Sequence, residues 1–161
     1  MTDYEEQWRK AGRVSGCADL RDVRLFGMSG DLSTPDPSAS LAYTLDVDVE
    51  FQTLGDDPVH ALVVTANYDL NVTETDESDD QEPTKVAGMA FALAAMYVLV
   101  EQDGDDPHVF ENEELEAFAA TTGQLALYPY AREFIADITG RMGLPPLHLG
   151  TLRFDRESGR N

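Results

Sequence analysis

Residues 41–51 alternate without a break: Leu41, Tyr43, Leu45, Val47, Val49 and Phe51 are interleaved with Ala42, Thr44, Asp46, Asp48 and Glu50. Successive side chains of a strand point to opposite faces, so this run buries one side and leaves three carboxylates in water on the other. A helix would spread the same residues around its whole circumference. A second run, from about residue 59 to 73, repeats the pattern. There Leu62, Val64, Ala66, Tyr68, Leu70 and Val72 alternate with Thr65, Asn67, Asp69, Asn71 and Thr73, after a Gly-Asp-Asp-Pro turn at 55–58. Two successive strands with one wet face predict an antiparallel sheet, because parallel sheets are covered on both sides.

The flanking sequence fits around that sheet. Residues 2–13 are charged, with Tyr4, Trp8 and Ala11 at helical spacing, and predict a short amphipathic helix. Residues 22–32 carry Val23, Leu25, Phe26 and Met28 and predict a first strand, followed by the Pro- and Ser-rich loop TPDPSAS at 34–40. The acidic stretch TDESDDQEP at 75–83 predicts a loop, and 102–107 another acidic turn. Residues 85–100 between them are ambiguous. Their Ala, Met and Leu content favours helix, while their place after two strands favours a third, buried on both faces.

Asn112 is placed to cap a helix whose first turn holds Glu113 and Glu114. Leu115, Phe118, Ala119, Thr122 and Leu125 mark its expected inner face. Pro129 interrupts it or opens the next helix, where Phe134, Ile135, Ile138 and Met142 share a side and Asp137 and Arg141 can pair. Gly143 and Pro145-Pro146 stop it. Strands first and a helix afterwards give an α+β class. The expected division is an N-terminal amphipathic extension over 1–18, one domain over 19–152, and a polar tail over 153–161.

The 161 residues are enough for one domain with a real core, and a composition 42% hydrophobic and 26% charged is that of a globular chain. A single cysteine, Cys17, can form no internal disulfide, and the charged start MTDYEEQWRK has no apolar run after it. A cytoplasmic protein with neither secretion signal nor membrane insertion is therefore expected. Acidic residues outnumber basic ones by 31 to 11, a net charge of −20. That field repels nucleic acid and anionic lipid and favours basic partners, although solubility or salt adaptation accounts for it equally well.

No constellation for catalysis emerges. His60, His108 and His148 have no second ligand at metal spacing. The glycines of Gly27-Met28-Ser29-Gly30 lack the lysine and following helix of a phosphate loop, and no serine sits in an elbow motif. Asp46, Asp48 and Glu50 share a strand face but stand about 7 Å apart, which suits a solvated face better than a metal. Neither metal, cofactor nor enzymatic activity is expected. The aromatic residues exceed what a small single-sheet core needs, so a subset is expected to line an apolar groove or a subunit interface.

The run LYPYAREFIADITGRMGLPPLHL at 127–149 resembles the signature of the SecB family of protein-export chaperones. In it an aromatic-Pro-Tyr-Ala-Arg-Glu opening leads along a helix to Gly-x-Pro-Pro and an alternating apolar end. Its motif positions here are Pro129, Arg132, Glu133, Gly143, Pro145 and Pro146. The wider run 114–146, including AATTGQLALYPY, is similar to the actinobacterial SecB-like chaperones that accompany toxin–antitoxin pairs.

The resemblance implies a four-stranded antiparallel sheet packed by a long C-terminal helix, assembled as a dimer of dimers, and makes 85–100 a strand. It implies an ATP-independent holdase whose apolar grooves bind unfolded polypeptide. The expected groove residues are Phe26, Phe51, Phe91, Tyr97, Phe110, Tyr128, Tyr130, Leu147 and Leu149. The client is expected to be an antitoxin within a toxin–antitoxin–chaperone system. The alternatives are a preprotein delivered to the translocation ATPase SecA, or a folded basic partner held by an acidic adaptor. In export members an acidic sheet face meets SecA, and Asp46, Asp48, Glu50 and Asp69 fit such a docking face. Arg132 is expected to pair with an acidic group of the sheet or of a neighbouring subunit, or else to be solvated. Two departures weigh against the export role: the chain ends in RFDRESGRN where export members continue into a second amphipathic helix, and it carries the extra segment 1–18.

Overall fold

A computed structural model describes residues 3–36, 39–55, 58–75, 82–100 and 109–153. The acidic loop residues 76–81, the turn at 102–107, His108 and residues 154–161 lie outside them. The described elements are helix α1 (Asp3–Ser15), strands β1 (Ala18–Leu32), β2 (Ser40–Leu54), β3 (Ala61–Thr75) and β4 (Thr84–Leu99), and helix α2 (Asn112–Phe118). A π-helical turn, Ala119–Gly123, then leads into helix α3 (Gln124–Arg141).

The strands form one antiparallel sheet in the order β1-β4-β3-β2. Thus β2, β3 and β4 follow one another by hairpins, and β1 lies beside β4, as in a Greek key. The β1–β2 connection must cross the ends of β4 and β3. Ser33 anchors it by donating its backbone N–H to the Val86 carbonyl at 2.7 Å, and the Asp36 N–H donates to the Glu74 carboxylate.

Residues 85–99 lie in β4 (Thr84–Leu99), a central strand, against their helical composition. Two ladders, to β1 and to β3, satisfy its backbone on both sides, and that outweighs a per-residue propensity of a few tenths of a kcal/mol. The expectation of burial on both faces holds only in part. Met89, Phe91, Leu93, Ala95 and Tyr97 are buried beneath the helices, whereas Ala90, Ala92, Ala94 and Met96 form the other face, with Ala90 and Met96 exposed.

The helices cover one face only. Leu62, Val64, Ala66, Tyr68, Leu70 and Val72 of β3 point into the same core, capped by Leu115, Phe118, Leu127, Ala131 and Ile135. Close approach is set by Gly123, where an added Cβ would stand 2.9 Å from Val64 Cγ1. Helix α1 belongs to this body: Ala11 and Val14 are fully buried. Lys10 bonds Glu113 and Arg13 bonds the buried Glu114, each at 2.5 Å. Glu114 also accepts the Glu111 N–H at 3.0 Å, so the helix is capped one residue earlier than Asn112.

Pro129 neither ends nor starts a helix; it lies inside α3. The bond it cannot make is to the Leu125 carbonyl, four residues back, and both Leu125 and Pro129 are exposed, so water can serve that oxygen. Gly143 does end the helix, at φ 79°. The N–H of Leu144 reaches the Thr139 carbonyl and that of Gly143 the Gly140 carbonyl, both at 3.1 Å, the paired bonds of a Schellman stop.

Candidate functional site

The C-terminal stop creates the site. After Gly143 the chain turns back over α3, where the Thr139 hydroxyl accepts the Leu147 N–H at 2.9 Å and donates to the Ile135 carbonyl at 2.7 Å. Further on, the Tyr128 hydroxyl donates to the Gly150 carbonyl at 2.6 Å. This pinned segment and the β1–β2 connection face each other across the start of β2 and enclose a cavity of about 450 Å³. Leu41, Tyr43 and Val72 line one side, Pro35, Asp36 and Ala39 another, and Leu144, Pro145, Pro146 and Leu147 the third. The volume falls in the range of ordinary ligand sites, and the lining is mostly apolar with few directional groups. Such a site accepts side chains by size and apolarity, not by hydrogen-bond pattern.

The expected groove residues do not converge on it. Leu147 lines the cavity. Tyr128 fixes its roof segment, and Phe51 packs half-buried farther along β2. Phe91, Tyr97 and Leu149 lie in the core, at 3%, 4% and 4% exposure. Phe91 stacks on Tyr68 at 4.8 Å, and Tyr97 meets Phe118 edge-on at 5.0 Å. Phe110 packs against the core before α2. Tyr130 lines a separate shallow depression with Val23, Leu25 and Phe134. Phe26 occupies the irregularity between Leu25 and Gly27, where β1 slips register, and is 78% exposed. Sequence patterning missed Pro35, Asp36, Ala39, Leu41, Tyr43 and Leu144, because a cavity made where a loop crosses a strand leaves no periodic signal. The two proline clusters that bracket it were legible only as a loop and a helix stop.

The acidic residues do converge. Asp46, Asp48 and Glu50 project from β2 onto the open face of the sheet, and Asp46 stands directly opposite Asp69 of β3. Like charges opposite one another on a sheet repel. The Asn71 amide donates to Asp69 at 3.0 Å and relieves part of that repulsion. Among the described residues no group of three or more His, Cys, Asp and Glu is arranged to hold a metal ion, and no helix is long and apolar enough to cross a membrane.

Arg132 is exposed and makes no ion pair among the described residues. Its guanidinium draws the Tyr128 phenol down slightly against the larger upward push of burial. A pair with the sheet of its own chain is therefore not made, and for an isolated subunit Arg132→Ala should cost under about 0.5 kcal/mol. A melting temperature within about 2 °C of the parent would bear that out.

Glu133, also exposed, rims the depression beside Tyr130.

No family model matches the chain. Individual proteins do. The SecB-like chaperone Rv1957 of Mycobacterium tuberculosis H37Rv is 37% identical over 155 residues, covering 89% of this chain and 82% of the relative. The protein-export protein SecB of Acidithiobacillus ferrooxidans is 30% identical over 128 residues, 78% of each chain. Among solved structures, M. tuberculosis Rv1957 in complex with a ChAD peptide from the Rv1956 HigA1 antitoxin superposes with a TM-score of 0.75 at 34% identity, covering 91% of this chain and 99% of that one. The four-stranded sheet, the long C-terminal helix and these identities over most of both chains agree: the chain belongs to the SecB-like chaperones.

Proposed function

We propose that the protein is an ATP-independent holdase that keeps an antitoxin from folding or aggregating prematurely, within a toxin–antitoxin–chaperone system in the cytoplasm. The observation that carries this reading is the likeness, across nearly the whole fold, to a chaperone solved with an antitoxin peptide. The apolar cavity at the start of β2 supports it, since tolerant apolar lining suits an unfolded segment. The net charge of −20 keeps such a surface from self-aggregation. The test is suppression of client aggregation without nucleotide. A denatured client should stay soluble at equimolar chaperone, and an antitoxin expressed from the neighbouring genes should need the chaperone to accumulate. Unchanged light scattering at several-fold excess chaperone would reject the reading.

Export is the second reading, favoured by the SecB relative and by the four carboxylates gathered on one open face. It predicts a salt-sensitive complex with SecA that weakens when Asp46, Asp48 and Glu50 are neutralised. A folded basic partner is a third, and it predicts binding to native but not to unfolded protein.

Assembly as a homotetramer belongs to the same proposal. Leu20, Leu25, Met28 and Leu32 on the helix side of β1 are 40–50% exposed, an apolar strip that a subunit interface would cover. Sedimentation at micromolar concentration should give a dimer or tetramer, and a stable monomer would count against it.

A further inference from the structure

Helix α1 buries little of itself. Of its described residues only Ala11 and Val14 are buried, and both side chains are small. It packs chiefly on α2 and the π-helical turn. There Lys10 bonds Glu113 and Arg13 bonds Glu114, each at 2.5 Å, and the Ser15 hydroxyl meets that of Thr122 at 3.0 Å. The Glu114 side chain is 8% exposed, so Arg13 offsets the cost of burying a carboxylate. A 13-residue helix is marginal on its own. Gly12 weakens it further, since it lies inside the helix on the exposed side, where a Cβ would meet nothing within 4 Å. α1 is therefore helical only while docked. The attachment ends at Cys17, whose carbonyl accepts the Val100 N–H at 2.8 Å, and the β1–β4 ladder starts at Ala18 with Leu99. α2 is held from its other side, where Phe118 meets Tyr97 at 5.0 Å. No residue of α1 or α2 lines the cavity at the start of β2. The chain can thus release α1 and keep its sheet, its other helices and its cavity.

We infer that α1 is a charge-held strap that opens on its own while the sheet stays folded, and that the open strap is where proteolysis of the domain begins. Opening turns the helix into extended chain, the form that a protease active site takes. Three of the chain's 11 cations, Arg9, Lys10 and Arg13, stand in this strap. A protease selective for basic residues hydrolyses the bonds that follow them. Each cut takes up one water and leaves a carboxylate and an amine. While redocking is faster than cutting, the rate follows the open population. The ion pairs to Glu113 and Glu114 therefore set how long the chain survives, whatever it holds in its cavity.

The full chain carries its own reporter, because Trp8 is its single tryptophan and sits in α1, edge-on to Tyr4 at 6.1 Å. In urea, Trp8 emission should move to the red at lower denaturant than the circular dichroism of the strands is lost. Coincident transitions would mean that α1 leaves only with the whole fold, and would overturn the strap. Sparing trypsin, followed by intact mass, should cut after Arg9, Lys10 or Arg13 before it cuts after Arg21 or Arg24 in β1. First cuts in β1, at Lys85 or in α3 overturn the point of entry. Loss of residues 154–161 shortens every product alike and does not bear on that order. Glu114→Gln can still accept the Glu111 N–H but gives up its charge, and should speed the α1 cuts about tenfold. Gly12→Ala adds helix propensity on the exposed side and should slow them about fivefold. Gly12→Ala keeps every contact of the parent, so it stays readable even where Glu114→Gln fails to fold. An unchanged rate in Gly12→Ala, or in a folded Glu114→Gln protein, overturns the proposal.

Discussion

Phe118→Ala should lower the unfolding free energy by about 3–5 kcal/mol. Phe118 is fully buried at the end of α2, and its ring meets that of the buried Tyr97 on β4 at nearly a right angle. Truncation removes the transfer free energy of the ring and leaves a cavity beside Leu115 and Tyr97. The sheet below is held by ladders on both sides of β4, so it cannot close over that gap, and the helix above is pinned by Arg13 and Lys10 of α1. Against a total stability of about 5–15 kcal/mol for a domain of this size, the loss is about a fifth or more. Urea unfolding should show the midpoint falling with little change in slope. A loss below about 1 kcal/mol would mean that α2 moves inward, and that the α1 contacts are weaker than their geometry indicates.

Phe118 also marks where periodicity stops being a guide. The expected inner face ran through Leu115, Phe118, Ala119, Thr122 and Leu125, and its first three members are buried. The π-helical turn at Ala119–Gly123 then inserts extra backbone, assisted by the buried Thr121 hydroxyl, which donates to the Ala117 carbonyl at 2.6 Å. Beyond it the buried stripe passes to Leu127, Ala131, Ile135 and Thr139, and Leu125 faces solvent at 46% exposure. A pattern counted at 3.6 residues per turn cannot anticipate a local change of pitch. β2 and β3 were legible because one face of each is wet. β4 was not, because its helix-covered face and its small-residue open face are both apolar, and alternation needs contrast. Its assignment came from the resemblance.

The site divided along similar lines. The acidic face followed from strand alternation alone, and Asp46, Asp48, Glu50 and Asp69 do share one surface. The apolar residues were chosen by chemical type, and type does not separate Phe91 in the core from Tyr43 at the surface. What separates them is position across the sheet: β4 is central and β2 is an edge.

The second large effect concerns Tyr68 and Tyr97, and it appears only in alkali. Both rings are buried, and neither hydroxyl has a hydrogen-bond partner among the described residues. Burial pushes each phenol up to about 12. A free phenol ionises near 10, so between about pH 10 and 12 the unfolded chain has lost protons that the native chain still holds. Stability then falls as pH rises, by up to about 1.4 kcal/mol per pH unit for each tyrosine, or roughly 5 kcal/mol for the pair by pH 12. Below about pH 9 these two groups are protonated in both states and contribute no slope. Cys17, Tyr128 and Lys10 are also raised, the first two by burial and Lys10 chiefly by its bond to Glu113, and they lean the same way. The tyrosines must therefore be isolated by difference. In the Tyr68→Phe, Tyr97→Phe double variant the alkaline slope should be reduced by most of that amount. At pH 7 the variant should be as stable as the parent or up to about 1 kcal/mol more so, because a hydroxyl buried without a partner costs free energy and its removal costs none. Urea midpoints at pH 7, 10 and 11 for the two proteins give both numbers. Parallel losses in parent and variant would mean that these hydroxyls reach water or an acceptor in solution. A variant destabilised at pH 7 would mean that at least one of them makes a native hydrogen bond.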